Sequence, residues 1–169
     1  MTSAWRPIFR CRIRAALAVV LLAGAGLASA NCVRPVPAAG ETDPERAAVN
    51  YAFDGSETIF TGTVTAMVYL PAFSADVGIG EAQYARIAVS GWWKGPTKLK
   101  EVMLRSSRFR YPDGSGSIEA HDYQFEVGKT YLVYAQRFGY DLVTSVCTRT
   151  RPIDKAAADL QVLDTLKVR

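Results

Sequence analysis

From Ile59 the chain alternates with a period of two for a dozen residues, and this run constrains the fold more than any other feature. Phe60, Gly62, Val64, Ala66, Val68 and Leu70 fall on one side, with Thr61, Thr63, Thr65, Met67 and Tyr69 on the other. Side chains of a strand point alternately to opposite faces, and β-branched residues suit a pleated surface, so the run predicts a long half-buried strand. Gly62 inside it marks a bulge or a tight bend. A second strand is expected over about 84–93, with Ala85, Ile87, Val89, Gly91 and Trp93 inward. Lys94-Gly95-Pro96 stops it with strong turn chemistry. Glu101 to Arg105 gives a third strand, with Val102 and Leu104 inward.

Thr130 to Gln136 and Asp141 to Thr148 supply two more strands, joined by a hairpin at Phe138-Gly139-Tyr140. Pro71–Gly80 and the polar stretch Ser106–Gln124, with its Asp113-Gly114-Ser115-Gly116-Ser117 core, read as loops. Before the strands, Asp43 is an N-cap followed by Pro44 at the first helical position, predicting a short helix over 44–52. Its apolar face is Ala47, Ala48, Tyr51 and Ala52. After them, Pro152 ends the sheet region. Asp154 caps a last helix whose apolar face is Ala157, Leu160, Leu163 and Leu166. The expected fold is mainly β: five short, mostly antiparallel strands closing into a small barrel that hides its edges, with one helix at each end.

The first thirty residues follow a different logic. Arg6, Arg10, Arg12 and Arg14 form a cationic start with no acidic residue, and Ala15–Leu27 is uncharged and apolar. Ala28-Ser29-Ala30 then gives the small-x-small pattern that signal peptidase accepts. The expectation is a signal peptide over 1–30 and a single domain over 31–169, located outside the cytoplasm, either secreted or periplasmic. An uncleaved anchor and a lipid-modified Cys32 are the alternatives. Asn31 disfavours the second, because lipoprotein signals need a small residue there. Cleavage removes four arginines and no acid from a chain with 20 Lys+Arg and 16 Asp+Glu, so the mature chain is neutral. Its basic character belongs to the discarded segment, and no nucleic-acid partner is expected.

Cys11 leaves with the signal, and Cys32 and Cys147 remain. An even pair in an oxidising compartment most simply makes one disulfide, with two buried free thiols as the alternative.

An early cysteine, a helix, and Phe60-Thr61-Gly62-Thr63-Val64 are followed by Trp93-Lys94-Gly95. Later come Phe125-Glu126-Val127-Gly128-Lys129-Thr130-Tyr131-Leu132-Val133-Tyr134-Ala135 and Cys147-Thr148-Arg149-Thr150-Arg151-Pro152, then an Ala/Leu-rich helix. Over residues 32–166 this pattern resembles bacterial secreted domains related to the tissue inhibitors of metalloproteinases and the netrin-like modules. The resemblance implies a five-stranded OB-fold Greek-key barrel. Relatives commonly begin Cys-x-Cys, but Arg34 stands at the second cysteine. The usual partner of that cysteine is also missing, since His121-Asp122 precede Tyr123. Losing both halves together is consistent with loss of one whole bridge, leaving Cys32–Cys147.

Inhibitors of this kind offer the free amino group and carbonyl of an N-terminal cysteine to the protease zinc. Cleavage after Ala30 puts Asn31 first instead. The expected function is therefore a non-enzymatic domain that binds an extracytoplasmic protein or protease. Metalloprotease inhibition through the Asn31-Cys32 region is one alternative. A structural envelope protein, membrane-attached only if Cys32 is lipidated, is another.

Chemistry finds few candidates. His121 is the one histidine, and its loop offers Ser115, Ser117 and Asp122, but a Gly/Ser-rich loop holds no base rigidly against a nucleophile. One histidine and a bridged cysteine pair cannot assemble a catalytic zinc site. Asp113, Glu119, Asp122 and Glu126 lack the spacing of a calcium loop. No enzyme, cofactor or metal is expected. Trp92, Arg105, Arg108, Phe109, Arg110 and Tyr111 form an aromatic and cationic cluster of the kind that stacks bases or sugars. The neutral charge argues against that use. Trp93 is expected to fill the barrel and Trp92 to cover its exterior or pack under a helix. Phe109 and Tyr111, with Asn31 and Cys32, are the expected partner contacts.

Overall fold

The computed structural model of the protein describes residues 32, 42–74 and 78–166. The expected signal peptide and Asn31 lie outside the described residues.

Helix α1 spans Pro44–Gly55. The carboxylate of Asp43 accepts the backbone N–H groups of Glu45 and Arg46 at 3.0 and 3.2 Å, so two of the helix's unpaired donors are satisfied. Its buried stripe is Val49 with Ala52 and Phe53, three and four residues on. Tyr51 falls outside that stripe and is 61% exposed, against the expected face.

Seven strands follow: β1 (Thr58–Ser74), β2 (Gly78–Lys94), β3 (Glu101–Arg110), β4 (Gly116–Ser117), β5 (Thr130–Phe138), β6 (Asp141–Val143) and β7 (Arg151–Pro152). A 3-10 turn at Ile153–Lys155 leads into helix α2 (Ala157–Leu166). The sheet is mixed and runs β1-β2-β3-β6-β5-β7, with β4 on β3 and an additional ladder between β5 and β1. Every ladder is antiparallel except β3 with β6.

The sheet is buried on both faces where β1 and β5 meet. Phe60, Val64, Ala85, Ile87, Trp92, Val102, Leu104, Tyr131, Val133 and Ala135 form one core. Ile59, Leu132 and Tyr134 face the other way and pack with Val49, Ala156 and Leu163 of the helical layer. Tyr131–Ala135 therefore reads as an unbroken apolar run, as a strand covered on both sides must.

Three irregularities in the β1–β2 ladder overturn the simple alternation. Register slips fall between Ile59 and Phe60, Thr61 and Gly62, and Val64 and Ala66. Each slip adds a residue to one strand and switches the face of everything beyond it. Beyond the third, Met67 packs on the core while Leu70 is exposed. The second, where Ser90 is the extra residue between Val89 and Gly91, reverses the two tryptophans. Phe60 pairs with Trp92, whose ring lies 5.2 Å from its own in the core. Trp93 turns outward under α2, where its indole N–H donates to Asp164 at 2.9 Å.

Four further expectations are corrected. The segment 71–80 is not all loop: β1 and β2 continue as a hairpin arm through Pro71↔Glu81, Ala72↔Gly80 and Phe73↔Ile79. Pro71 is tolerated because β5 pairs with β1 only from Thr58 to Thr63, leaving one strand neighbour at the arm. β3 continues to Arg110, and β4 folds back onto it. β6 stops at Val143, because Thr144, Thr148 and Thr150 then bond to one another and to the backbone of Tyr134. Asp154 sits inside the 3-10 turn ahead of α2, and Ala156 is buried in place of Ala157.

Gly62 is required by close approach. A Cβ there would lie 2.6 Å from Ile87 Cγ2 and 2.7 Å from the carbonyl oxygen of Ala88. Gly62→Ala is expected to destabilise the domain by about 1–3 kcal/mol through overpacking, read as a lowered urea midpoint.

Candidate functional site

Residues of functional interest gather in two places. At one, Cys32 and Cys147 are joined, with an S–S distance of 2.07 Å and a sequence separation of 115. Closing a loop of that length contributes about 4–5 kcal/mol in the chain-entropy picture. Cys32 is half-buried and Cys147 exposed.

Two residues past Cys147, Arg149 reaches into the helical layer. Its Nε and Nη2 donate to Asp159 of α2 at 2.9 and 2.7 Å, and it also pairs with Glu45 of α1. Asp159 is fully buried. Its carboxylate takes a third hydrogen bond from the Tyr134 hydroxyl at 2.9 Å, and Arg151 Nη1 lies at 3.4 Å. Burial pushes the Tyr134 hydroxyl far above the ordinary phenol range, with the Asp159 charge adding to it. The hydrogen bond to Asp159 likewise raises Arg149. These groups satisfy one another. They fasten α1, α2, β5 and β7 and present no free acid or base. Sequence reading named the apolar face of this helix and did not single out Asp159. The signal was its position four residues before Leu163, on the buried stripe.

The second place is the arm. Phe73 and Ile79 face each other across its ladder and are 70% and 74% exposed. Behind them, Gln83 donates to the Tyr69 hydroxyl at 3.2 Å, Arg110 lies 3.9 Å over the Tyr69 ring, and Arg110 pairs with Glu81 at 3.3 Å. Phe109 is 7% exposed, because its ring covers Gly80. The half-buried Tyr111 sits beside it, 5.4 Å between ring centroids. The β3–β4 turn closes over this end, with Asp113 accepting from the backbone and hydroxyl of Ser115. Those bonds hold the Asp113 carboxyl below its usual range. A depression of about 310 Å3 lies between, lined by Tyr69, Arg108, Phe109, Arg110 and the turn from Gly114 to Ile118.

The remaining candidates are dispersed. Trp92 and Arg105 point elsewhere, one into the core and the other to Asp141 at 2.9 Å. His121 is exposed, Ser115 is engaged by Asp113, and Asp122 accepts from Ser107 N–H and the Gln124 amide. Among the described residues, no three His, Cys, Asp or Glu side chains are grouped to hold a metal ion. No described helix is long and apolar enough to cross a membrane.

No family model matches the chain, and no curated protein matches its sequence.

Two outcomes follow from the buried network. Asp159→Ala leaves Arg149 and Tyr134 unmatched and is expected to cost about 3–5 kcal/mol in urea unfolding. Alkaline pH acts on Tyr123, which burial pushes up to about 12. Above pH 10 the unfolded chain loses this proton and the folded chain keeps it, so stability is full below pH 10 and falls as pH rises from 10 to about 12. Tyr123→Phe is expected to lessen that decline in unfolding midpoints measured from pH 8 to 12, the remainder being that of the buried Tyr134 hydroxyl.

Proposed function

We propose that this chain is an extracytoplasmic, non-enzymatic domain of OB type that binds another protein through its hairpin arm. The observation that carries the reading is the exposed Phe73–Ile79 pair at the end of the arm. Bulky apolar residues on a projecting element cost solubility in isolation and gain from being covered, which makes them natural anchors for a partner. The OB assignment is supported by the strand order β1-β2-β3-β6-β5 with its return ladder to β1 and its parallel β3–β6 pair. The extracytoplasmic placement is supported by the joined cysteines, since such bridges persist where thiols are oxidised.

The test is expression of the full chain in an export-competent host with a photo-crosslinking side chain at position 73 or, separately, at 136 on the opposite part of β5. The expected result is an exported protein beginning at Asn31 that forms one discrete protein adduct from position 73 and none from 136. The adduct is expected to fall about tenfold with Ile79→Asp. An unprocessed cytoplasmic chain, or no protein adduct from the arm, overturns the reading.

A further inference from the structure

We propose that Pro71 guards the long open edge of β1, keeping its backbone from pairing with β1 of a second copy of this chain. This role is separate from the apolar side chains at the end of the arm and stands whether or not the arm binds protein.

The ladder with β5 leaves β1 after Thr63. Val64 still bonds on that side, its N–H donating to the Lys129 carbonyl at 3.0 Å and its carbonyl accepting from Gly128 N–H at 2.8 Å. Over residues 66–74 the strand paired with β1 is β2, and no second strand lies on the outer side among the described residues. Such an edge is a row of open N–H and C=O groups, a template for another extended chain. Its chemistry suits a copy of itself. Residues 65–74 read TAMVYLPAFS, with no charged side chain to repel an identical strand. Thr, Val, Tyr and Phe favour a pleated surface, and apart from the proline the run has the composition of segments that stack as strands. Thr65, Leu70 and Phe73 are exposed along it.

Pro71 interrupts this row. Alternate residues of a strand turn their backbone groups to the same edge, and Val64 turns both of its own toward β5. The slip at Val64–Ala66 inserts Thr65 and moves that alternation on by one. Met67, Tyr69, Pro71 and Phe73 are therefore the residues whose backbone groups face the open side. Proline brings no N–H to its place there, and its ring carbon stands where the hydrogen would point. A two-fold antiparallel pair of β1 strands would lose one hydrogen bond from each copy and press each ring on its neighbour. The arm itself loses nothing, since Pro71 stays in register with Glu81 on β2. The outer edge of β2 needs no such guard. Only residues 78–80 extend past the β3 ladder, which begins at Glu81, where Glu81 and Arg110 already set a charged pair.

The experiment compares the disulfide-bonded wild type with Pro71→Val and Pro71→Ala by sedimentation velocity over a concentration series, with amide hydrogen exchange followed residue by residue. The wild type is expected to sediment as a monomer. Pro71→Val supplies the N–H and a β-branched side chain, and is expected to raise the weight-average mass about twofold at the top of the series. Pro71→Ala, a poorer strand former, is expected to associate more weakly. In the associated protein the amides of Met67, Tyr69 and Phe73 are expected to exchange about tenfold more slowly than in the wild type. Leu70→Lys added to Pro71→Val puts a charge on the edge and is expected to restore the monomer. Ile79→Asp added instead is expected to leave the dimer intact, which separates backbone pairing from contact between the apolar ends of two arms. A circular dichroism spectrum matching the wild type shows that each variant is folded. A wild type that is already dimeric, or variants that stay monomeric throughout, overturn the proposal. So does association that leaves those amides unprotected or that Ile79→Asp abolishes.

Discussion

A carboxylate with no access to water must be answered completely by its neighbours, and Asp159 sets that requirement for the whole helical layer. Arg149 donates two hydrogen bonds to it, Tyr134 a third, and Arg151 stands beside it. Each donor comes from a different element. The strand, the C-terminal segment and both helices consequently have one relative arrangement in which the charges match. Apolar packing of Ile59, Leu132, Val49 and Leu163 supplies attraction without direction. The ionic cluster supplies the direction. The Cys32–Cys147 bridge sits two residues from Arg149 and ties the start of the domain to the same place.

The two ends of the molecule are built on opposite principles. At the stapled end, Asp159, Arg149, Tyr134 and Arg151 satisfy one another. At the arm, Phe73 and Ile79 stand in solvent and Arg108 keeps an unmatched donor. Bulky apolar side chains held in water favour being covered, and at the arm they stand as a facing pair across one ladder, which is the support for the proposed recognition there.

How much of this was legible in the sequence depends on the kind of signal. Local signals were clear: Asp43-Pro44 began α1, Lys94-Gly95 ended β2, and Gly139 turned a hairpin. The cysteine pair was legible by elimination. Alternation was legible only between bulges. Gly62 announced a bulge, but not that Ser90 on the partner strand is the extra residue, which exchanged Trp92 with Trp93; the slip at Val64–Ala66, which exchanged Ala66 with Met67, carries no local mark. The arm was hidden because Pro71 and Gly80 are turn formers by composition. They fit a strand here only because β1 has a single neighbour and the Phe109 ring lies over Gly80. Asp159 was hidden because its partners lie up to 25 residues away in sequence.

The position of Asp159 in the last helix has a consequence for how the chain is made. The β1–β5 ladder joins residues far apart in sequence, and its outer face is covered by residues 156–163. During synthesis, therefore, most of the sheet can exist before α2 emerges, yet Ile59, Leu132 and Tyr134 remain uncovered and Arg149 has no buried carboxylate to meet. Completion waits for residues 156–163. Long-range pairing of this kind is slow, so the β1–β5 seam gains its outer cover late, when residues 156–163 close over it.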